Sequence, residues 1–194
     1  MLTLRHPGLT RPGGGTRGIA GMELSDSRRI AADAETVWAA LLDREVLKSS
    51  VPGCEDMTGN AEDGFEAVVV QKVGPVKATF KGQVTLSDIV PGESLTISGE
   101  GKGGPAGFAK GDAKCRLERV GPDETVLHYE VMAKVGGKLA QLGSRIIDGF
   151  AKKMADQFFA NFEEAVAGPA DPAEAEEAAA AGKTKGWFRR MVSG

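Results

Sequence analysis

Residues 99–111, GEGKGGPAGFAKG, hold six glycines. Among them Gly99, Gly101 and Gly104 stand at the G-x-G-x-x-G spacing of a turn that cradles a pyrophosphate. Glycines serve such a turn by letting backbone N–H groups approach the phosphate at the start of the helix that follows. The flanks here argue against it. Pro105 and Gly107 follow at once, then a segment of period two, so no helix N-terminus is available. Neither neighbouring Gly-Lys pair is followed by Ser or Thr in the frame a P-loop needs. The stretch reads as a strand-to-strand connection, either a wide hairpin with a bulge or a mobile lip over a cavity with Phe108 as its gate.

The other reactive side chains are sparse. The chain has two histidines and two cysteines. His6 lies in an unpatterned head and His128 on the wet face of a strand, which argues against a histidine-based metal site or triad. Cys54 follows Pro52-Gly53 with no base nearby, and Cys115 falls on a dry face as a small core residue. Two distant thiols make neither a disulfide framework nor a zinc site and fit a reducing cytoplasm. Asp148 and Asp156, with Arg145 and Lys152 at helical spacing, read as surface ion pairs. Lys152-Lys153 reads as solvated helix charge. The sequence therefore predicts no catalytic residue and no metal ligand.

These residues are positioned by elements the pattern predicts. A first strand spans residues 22–31, and Asp33 caps a short helix with Val37, Trp38, Leu41 and Leu42 on one face. A second helical piece is halted by Pro52-Gly53. From Gly64 the period becomes two. Phe65, Ala67, Val69, Gln71 and Val73 share a face, and after Gly74-Pro75 so do Val76, Ala78, Phe80, Gly82, Val84 and Leu86. Leu95 and Ile97 continue it, followed by Gly111, Ala113, Cys115 and Leu117, then Leu127, Tyr129, Val131, Ala133 and Val135. A helix from about Lys138 to Ala167 closes the chain, with a stripe of Leu139, Leu142, Ile146, Phe150, Met154, Phe158 and Phe162.

One strand, two short helices, about six antiparallel strands and a long amphipathic helix define an α+β fold in which a curved sheet wraps the helix. Small residues on the inner face leave room for an apolar cavity. Its expected lining is Val69, Gln71, Ala78, Phe80, Gly82, Val84, Ile97, Phe108 and Tyr129 from the sheet, with Leu142, Ile146 and Phe150 from the helix.

The 194 residues allow one such domain with tails, and a net charge of −3 gives no global field for nucleic acid. Residues 1–21 carry three Arg and six Gly without an acid and read as a disordered head, with patterned sequence starting at Met22. The domain is expected over 22–167 and a flexible tail over 168–194. In that tail Lys183, Lys185, Arg189 and Arg190 surround Trp187 and Phe188, a combination suited to an anionic lipid surface or, alternatively, to a partner protein.

Three stretches carry a family resemblance: KVGPVKATFKGQVTLSD, ISGEGKGGPAGFAKGDA and VGGKLAQLGSRIIDGFAKKMADQFFANF. Together they resemble the carbon monoxide dehydrogenase CoxG subunit (CoxG-like) family of the START-like, helix-grip (SRPBCC) superfamily, over residues 22–166. The resemblance implies a sheet gripping a helix. It also implies an accessory role beside a molybdenum-containing carbon monoxide dehydrogenase or related hydroxylase, attachment to the inner face of the cytoplasmic membrane, and handling of a lipophilic quinone. No catalytic cofactor is expected, only a possible bound quinone. Gln71 and Tyr129 would then hydrogen-bond a quinone carbonyl, or else a buried backbone group. The expectation is a non-catalytic carrier in the cytoplasm, peripherally bound to the membrane; the alternative is a START-like cyclase or hydrolase using the same cavity.

Overall fold

The computed structural model describes residues 18–167. The elements follow in the order β1 (Ile19–Ile30), α1 (Ala34–Leu42), α2 (Arg44–Ser50), β2 (Cys54–Asn60), β3 (Gly64–Val73), β4 (Val76–Val90), β5 (Ser94–Lys102), β6 (Phe108–Gly121), β7 (Glu124–Gly136) and α3 (Ser144–Ala167). The strands form one antiparallel sheet in the order β1-β7-β6-β5-β4-β3-β2. The meander from β2 to β7 pairs neighbours in sequence, and β1 closes against β7.

Local chemistry sets the boundaries. The Asp33 carboxylate accepts from the backbone N–H groups of Glu35 and Thr36 and from the Thr36 hydroxyl, capping α1. Those bonds to the ionised form hold the Asp33 carboxyl below the usual carboxylate range. Asp43 repeats the device for α2 by accepting from Val46 N–H.

Four sequence expectations shift. β1 begins at Ile19, which pairs with Gly136, so the strand extends ahead of Met22. CEDMTGN is strand β2, which the periodicity does not single out because only Met57 along it is buried. The glycine-rich stretch is mostly strand: β5 runs to Lys102 and β6 starts at Phe108, leaving a five-residue connection. That connection contains one 3-10 turn and is tied by Gly103 N–H to Gly107 O and by Leu139 N–H to Ala106 O. Finally, α3 begins at Ser144 and not at Lys138. A separate 3-10 turn (Ala140–Leu142) precedes it, and Gly143, at φ +87°, breaks the two apart.

The core is lopsided. Phe162, Phe159 and Phe158 of α3 pack with Ile30, Val37, Leu41, Leu95, Leu127 and Tyr129. Phe158 and Phe162 stack at 5.7 Å, and Phe159 stacks on Tyr129 at 4.8 Å. All of this engages the C-terminal half of α3. In the N-terminal half, Ile147 and Phe150 face Val69, Val73, Phe80, Ala109 and Val135 across a hollow.

Candidate functional site

Next to that hollow the inner face of the sheet carries Gly82, Gly99, Gly101, Gly111, Ala113 and Ala133, with Phe80, Val84, Ile97 and Val131 around them. They line an open hollow of about 370 Å³. A second hollow of about 180 Å³ shares Val69, Phe80 and Ala109 with the first and is closed by Val135, Leu139, Ile147 and Phe150. Together they form one cleft on the inner face of the sheet, which α3 borders through Ile147 and Phe150. The wall is apolar almost throughout, and Gln71 gives it only its aliphatic stem.

The glycines are of two kinds. A Cβ on Gly82 would come within 2.8 Å of the Glu100 carbonyl oxygen, and one on Gly111 within 2.7 Å of the Met132 carbonyl. Close strand approach requires glycine there. At Gly99 and Gly101 the nearest atoms lie 3.9 and 3.8 Å away, ordinary contacts, so these two glycines leave space that the backbone does not demand.

Of the expected lining, Val69, Gln71, Phe80, Gly82, Val84, Ile97 and Phe150 meet at the cleft. The others do not. Ala78 opens on a neighbouring hollow beneath the connection between β5 and β6. Phe108 points to the outer face and its ring covers Gly136, because β6 starts at Phe108 and the alternation directs Ala109 inward instead. The gate over the cleft is therefore not there. Ile146 is exposed beside the Gly74 turn and Ile147 takes the inward place, since a stripe stepping by four from Phe162 drifts off the buried face by roughly 40° per step. Leu142 sits in the preceding 3-10 turn, away from the cleft.

The two isolated polar groups have protein surroundings. Gln71 Nε2 donates to the Pro52 carbonyl, the buried-backbone alternative to a ligand. Tyr129 is buried against Phe159, outside the cleft, with its hydroxyl facing Arg28. Burial pushes the Tyr129 hydroxyl up, and the Arg28 charge offsets part of that. Arg28 comes from β1, pairs with Asp156 of α3 and lies 5.7 Å over the Phe159 ring. Burial works against its charge, but Tyr129 and Asp156 outweigh burial and raise it. Neither the Tyr129 hydroxyl nor Arg28 Nε completes a well-formed hydrogen bond. The sequence gives no signal for this clasp because MELSDSRRIA does not alternate. Asp156 also meets Lys152 at 4.0 Å, and His128 Nε2 lies 2.7 Å from Glu118 Oε2 on the outer face.

Cys115 adjoins Tyr129 in register, and burial pushes its thiol up to about 11. Its folded value lies above the ordinary value of about 9. The resulting stability is therefore full below about pH 9 and is lost as pH climbs towards 11. At about 1.4 kcal/mol per unit this amounts to roughly 3 kcal/mol. Thermal melts of the wild-type chain should fall more steeply over that interval than those of Cys115→Ala; parallel curves would show that the thiol ionises alike in the folded and unfolded states.

A curved seven-stranded antiparallel sheet gripping a C-terminal helix over an apolar cleft defines a START-like, helix-grip fold. Solved structures share it. A conserved protein from Geobacillus kaustophilus matches with a TM-score of 0.68 at 29% identity, covering 77% of this chain and 94% of that one. A START superfamily protein from Mycobacterium smegmatis matches at 0.56 and 18% identity, covering 74% and 96%. The ZhuI aromatase/cyclase from Streptomyces sp. R1128 matches at 0.55 and 12% identity, covering 76% and 94%. The last two likenesses concern the fold alone. A search of curated protein sequences gave no significant match. The family model of the carbon monoxide dehydrogenase CoxG subunit matches residues 27–167, and the chain belongs to that family. Among the described residues no helix is long and apolar enough to cross a membrane. The basic and aromatic residues Lys183, Lys185, Trp187, Phe188, Arg189 and Arg190 lie outside the described residues, as do the head to residue 17 and the tether from residue 168.

Proposed function

We propose that this protein is a non-catalytic carrier that holds a lipophilic, quinone-like molecule in the cleft between the sheet and α3. It serves a carbon monoxide dehydrogenase-type molybdenum hydroxylase and brings that enzyme to the inner face of the cytoplasmic membrane. The observation that carries this reading is the cleft wall. Its side chains are aliphatic, aromatic or absent, and the Gln71 amide is engaged by the Pro52 carbonyl. Such a wall favours hydrocarbon surface by about 25 cal/mol per Å² buried and presents no poised acid, base or nucleophile to a bound molecule. Family membership supports the accessory role and the choice of partner.

The alternative is a hydrophobic-substrate enzyme on the same fold, as the ZhuI aromatase/cyclase illustrates for that protein. Against it stands the placement of the polar groups, since Tyr129 and Arg28 pack on the Phe159 ring outside the cleft lining and the Gln71 amide is engaged by backbone. The test is native mass spectrometry of the purified full-length chain, followed by solvent extraction. The expected result is a neutral lipophilic quinone released on denaturation, unchanged in mass after prolonged incubation with the protein. Recovery of a chemically altered product would overturn the carrier reading, and recovery of phospholipid alone would overturn the quinone.

A further inference from the structure

The charges on this sheet are sorted by end. Antiparallel pairing brings the end of β3, the start of β4, the end of β5, the start of β6, the end of β7 and the start of α3 to the end of the sheet where the cleft lies. On the outer face there, three lysine pairs stand directly opposite one another in register: Lys72 with Lys77, Lys81 with Lys102, and Lys110 with Lys134. Like charges at directly opposed positions destabilise a sheet. Of the six, only Lys110 has an acidic partner among the described residues, Glu100 at 3.7 Å. The other end carries exposed acids, including Glu62, Asp63, Asp88, Glu93 and Asp123, and its arginines Arg29 and Arg119 are paired with Glu124 and Glu35. A chain of net charge −3 thus presents a cationic end.

Two further features lie at that end. Lys77 and Lys138 both line a hollow of about 440 Å³ between the Pro75 turn and Pro105, which is open to a headgroup-sized anion. Ile146, 43% exposed, stands beside the Gly74 turn at the start of α3. A lysine band around a basic hollow, with an apolar side chain at its margin, complements one kind of surface: anionic phospholipid, which neutralises the opposed lysines and accepts the isoleucine among its acyl chains.

We propose that the folded domain itself docks on an anionic bilayer by this end, with a headgroup phosphate between Lys77 and Lys138. Docking by this end sets the hollow lined by Val73, Val135 and Leu139 beside the bilayer, the source of a lipophilic molecule. The proposal rests on the carrier reading for that purpose, though the docking itself does not.

The test is cosedimentation of the full-length protein with phosphatidylglycerol-containing vesicles and with pure phosphatidylcholine vesicles. Lys77→Glu/Lys138→Glu should weaken binding to the anionic vesicles by about ten-fold or more, since each basic residue near such a surface contributes about five-fold. Lys77→Gln/Lys138→Gln should give a smaller loss. Glu62→Lys/Asp63→Lys, at the far end, should not weaken binding. The lysine effect should persist in Trp187→Ser/Phe188→Ser, which disables the tail. Wild-type vesicle binding by Lys77→Glu/Lys138→Glu, with circular dichroism confirming the fold, would overturn the proposal and leave the tail as the contact. Retained vesicle binding with loss of a copurifying oxidoreductase would overturn it in favour of a protein interface. Quinone uptake from detergent micelles, measured on the same variants, keeps the two readings apart. If the wild-type chain takes up no quinone while vesicle binding still follows the lysines, the carrier reading fails and the docking stands.

Discussion

Gly99→Leu/Gly101→Leu is expected to abolish quinone binding while leaving the domain as stable as the wild type. Both glycines line the larger hollow, and an added Cβ at either meets only ordinary contacts at 3.8–3.9 Å. Neither has the positive φ that would strain a side chain. Replacing glycine inside a strand also removes an entropic penalty and adds apolar surface facing α3, so thermal stability should hold or rise. If two leucines displace about 150 Å² of ligand surface, about 25 cal/mol per Å² gives roughly 4 kcal/mol, about a thousand-fold in affinity. Gly82 is the wrong place for this experiment. Its Cβ would strike the Glu100 carbonyl at 2.8 Å, so a large residue there damages the sheet before it fills the cleft. Titration of the double variant with a water-dispersed quinone, beside a thermal melt, gives both readouts. Wild-type affinity in a folded variant would place the ligand outside the cleft.

The fold is legible in the sequence because the physics that builds it is local and periodic. Alternation along β3, β4, β6 and β7 marks the inner face residue by residue, and the side chains assigned inward there are the ones the structure turns inward. Phase and register stay hidden. The closing helix starts only after Gly143, and a stripe stepping by four drifts roughly 40° per step in a helix of about 3.6 residues per turn, so at its far end Ile146 turns out and Ile147 turns in. The glycines of residues 99–111 look like a loop because glycine is the common turn residue. Three of them sit in strands, as Gly82 does: Gly111, like Gly82, because neighbouring backbones pass too close for a Cβ, Gly99 and Gly101 where they leave the cleft open; Gly103, Gly104 and Gly107 make the short connection. Phe108 suggests a cleft residue by its isolation among small residues, yet the register at the start of β6 sends it to the opposite face. Arg28 and its partners on α3 lie more than a hundred residues apart, and only the three-dimensional closure of β1 against the helix joins them. The lysine pairs are likewise invisible until register sets them face to face.

Phe162→Ala and Phe150→Ala should separate the two halves of α3, the first in stability and the second in binding. Phe162 is fully buried, stacks on Phe158 and packs within the cluster that includes Ile30, Val37 and Leu127. Removing a ring from such a site leaves a cavity the surrounding helices and strands cannot close, at about 3–5 kcal/mol. Against a typical stability of about 5–15 kcal/mol, that is a large share of the whole. Phe150 is only half-buried and faces the cleft rather than the packed cluster. Its truncation widens a space that is already open, so little packing is lost and the stability change should be about 1 kcal/mol or less. The same truncation strips one wall from the ligand, and quinone affinity should fall. Urea unfolding of both variants, followed by quinone titration of each under conditions where it is folded, gives the comparison. Equal destabilisation by the two would mean that the N-terminal half of α3 is packed as tightly as the rest, leaving no room beneath it for a ligand.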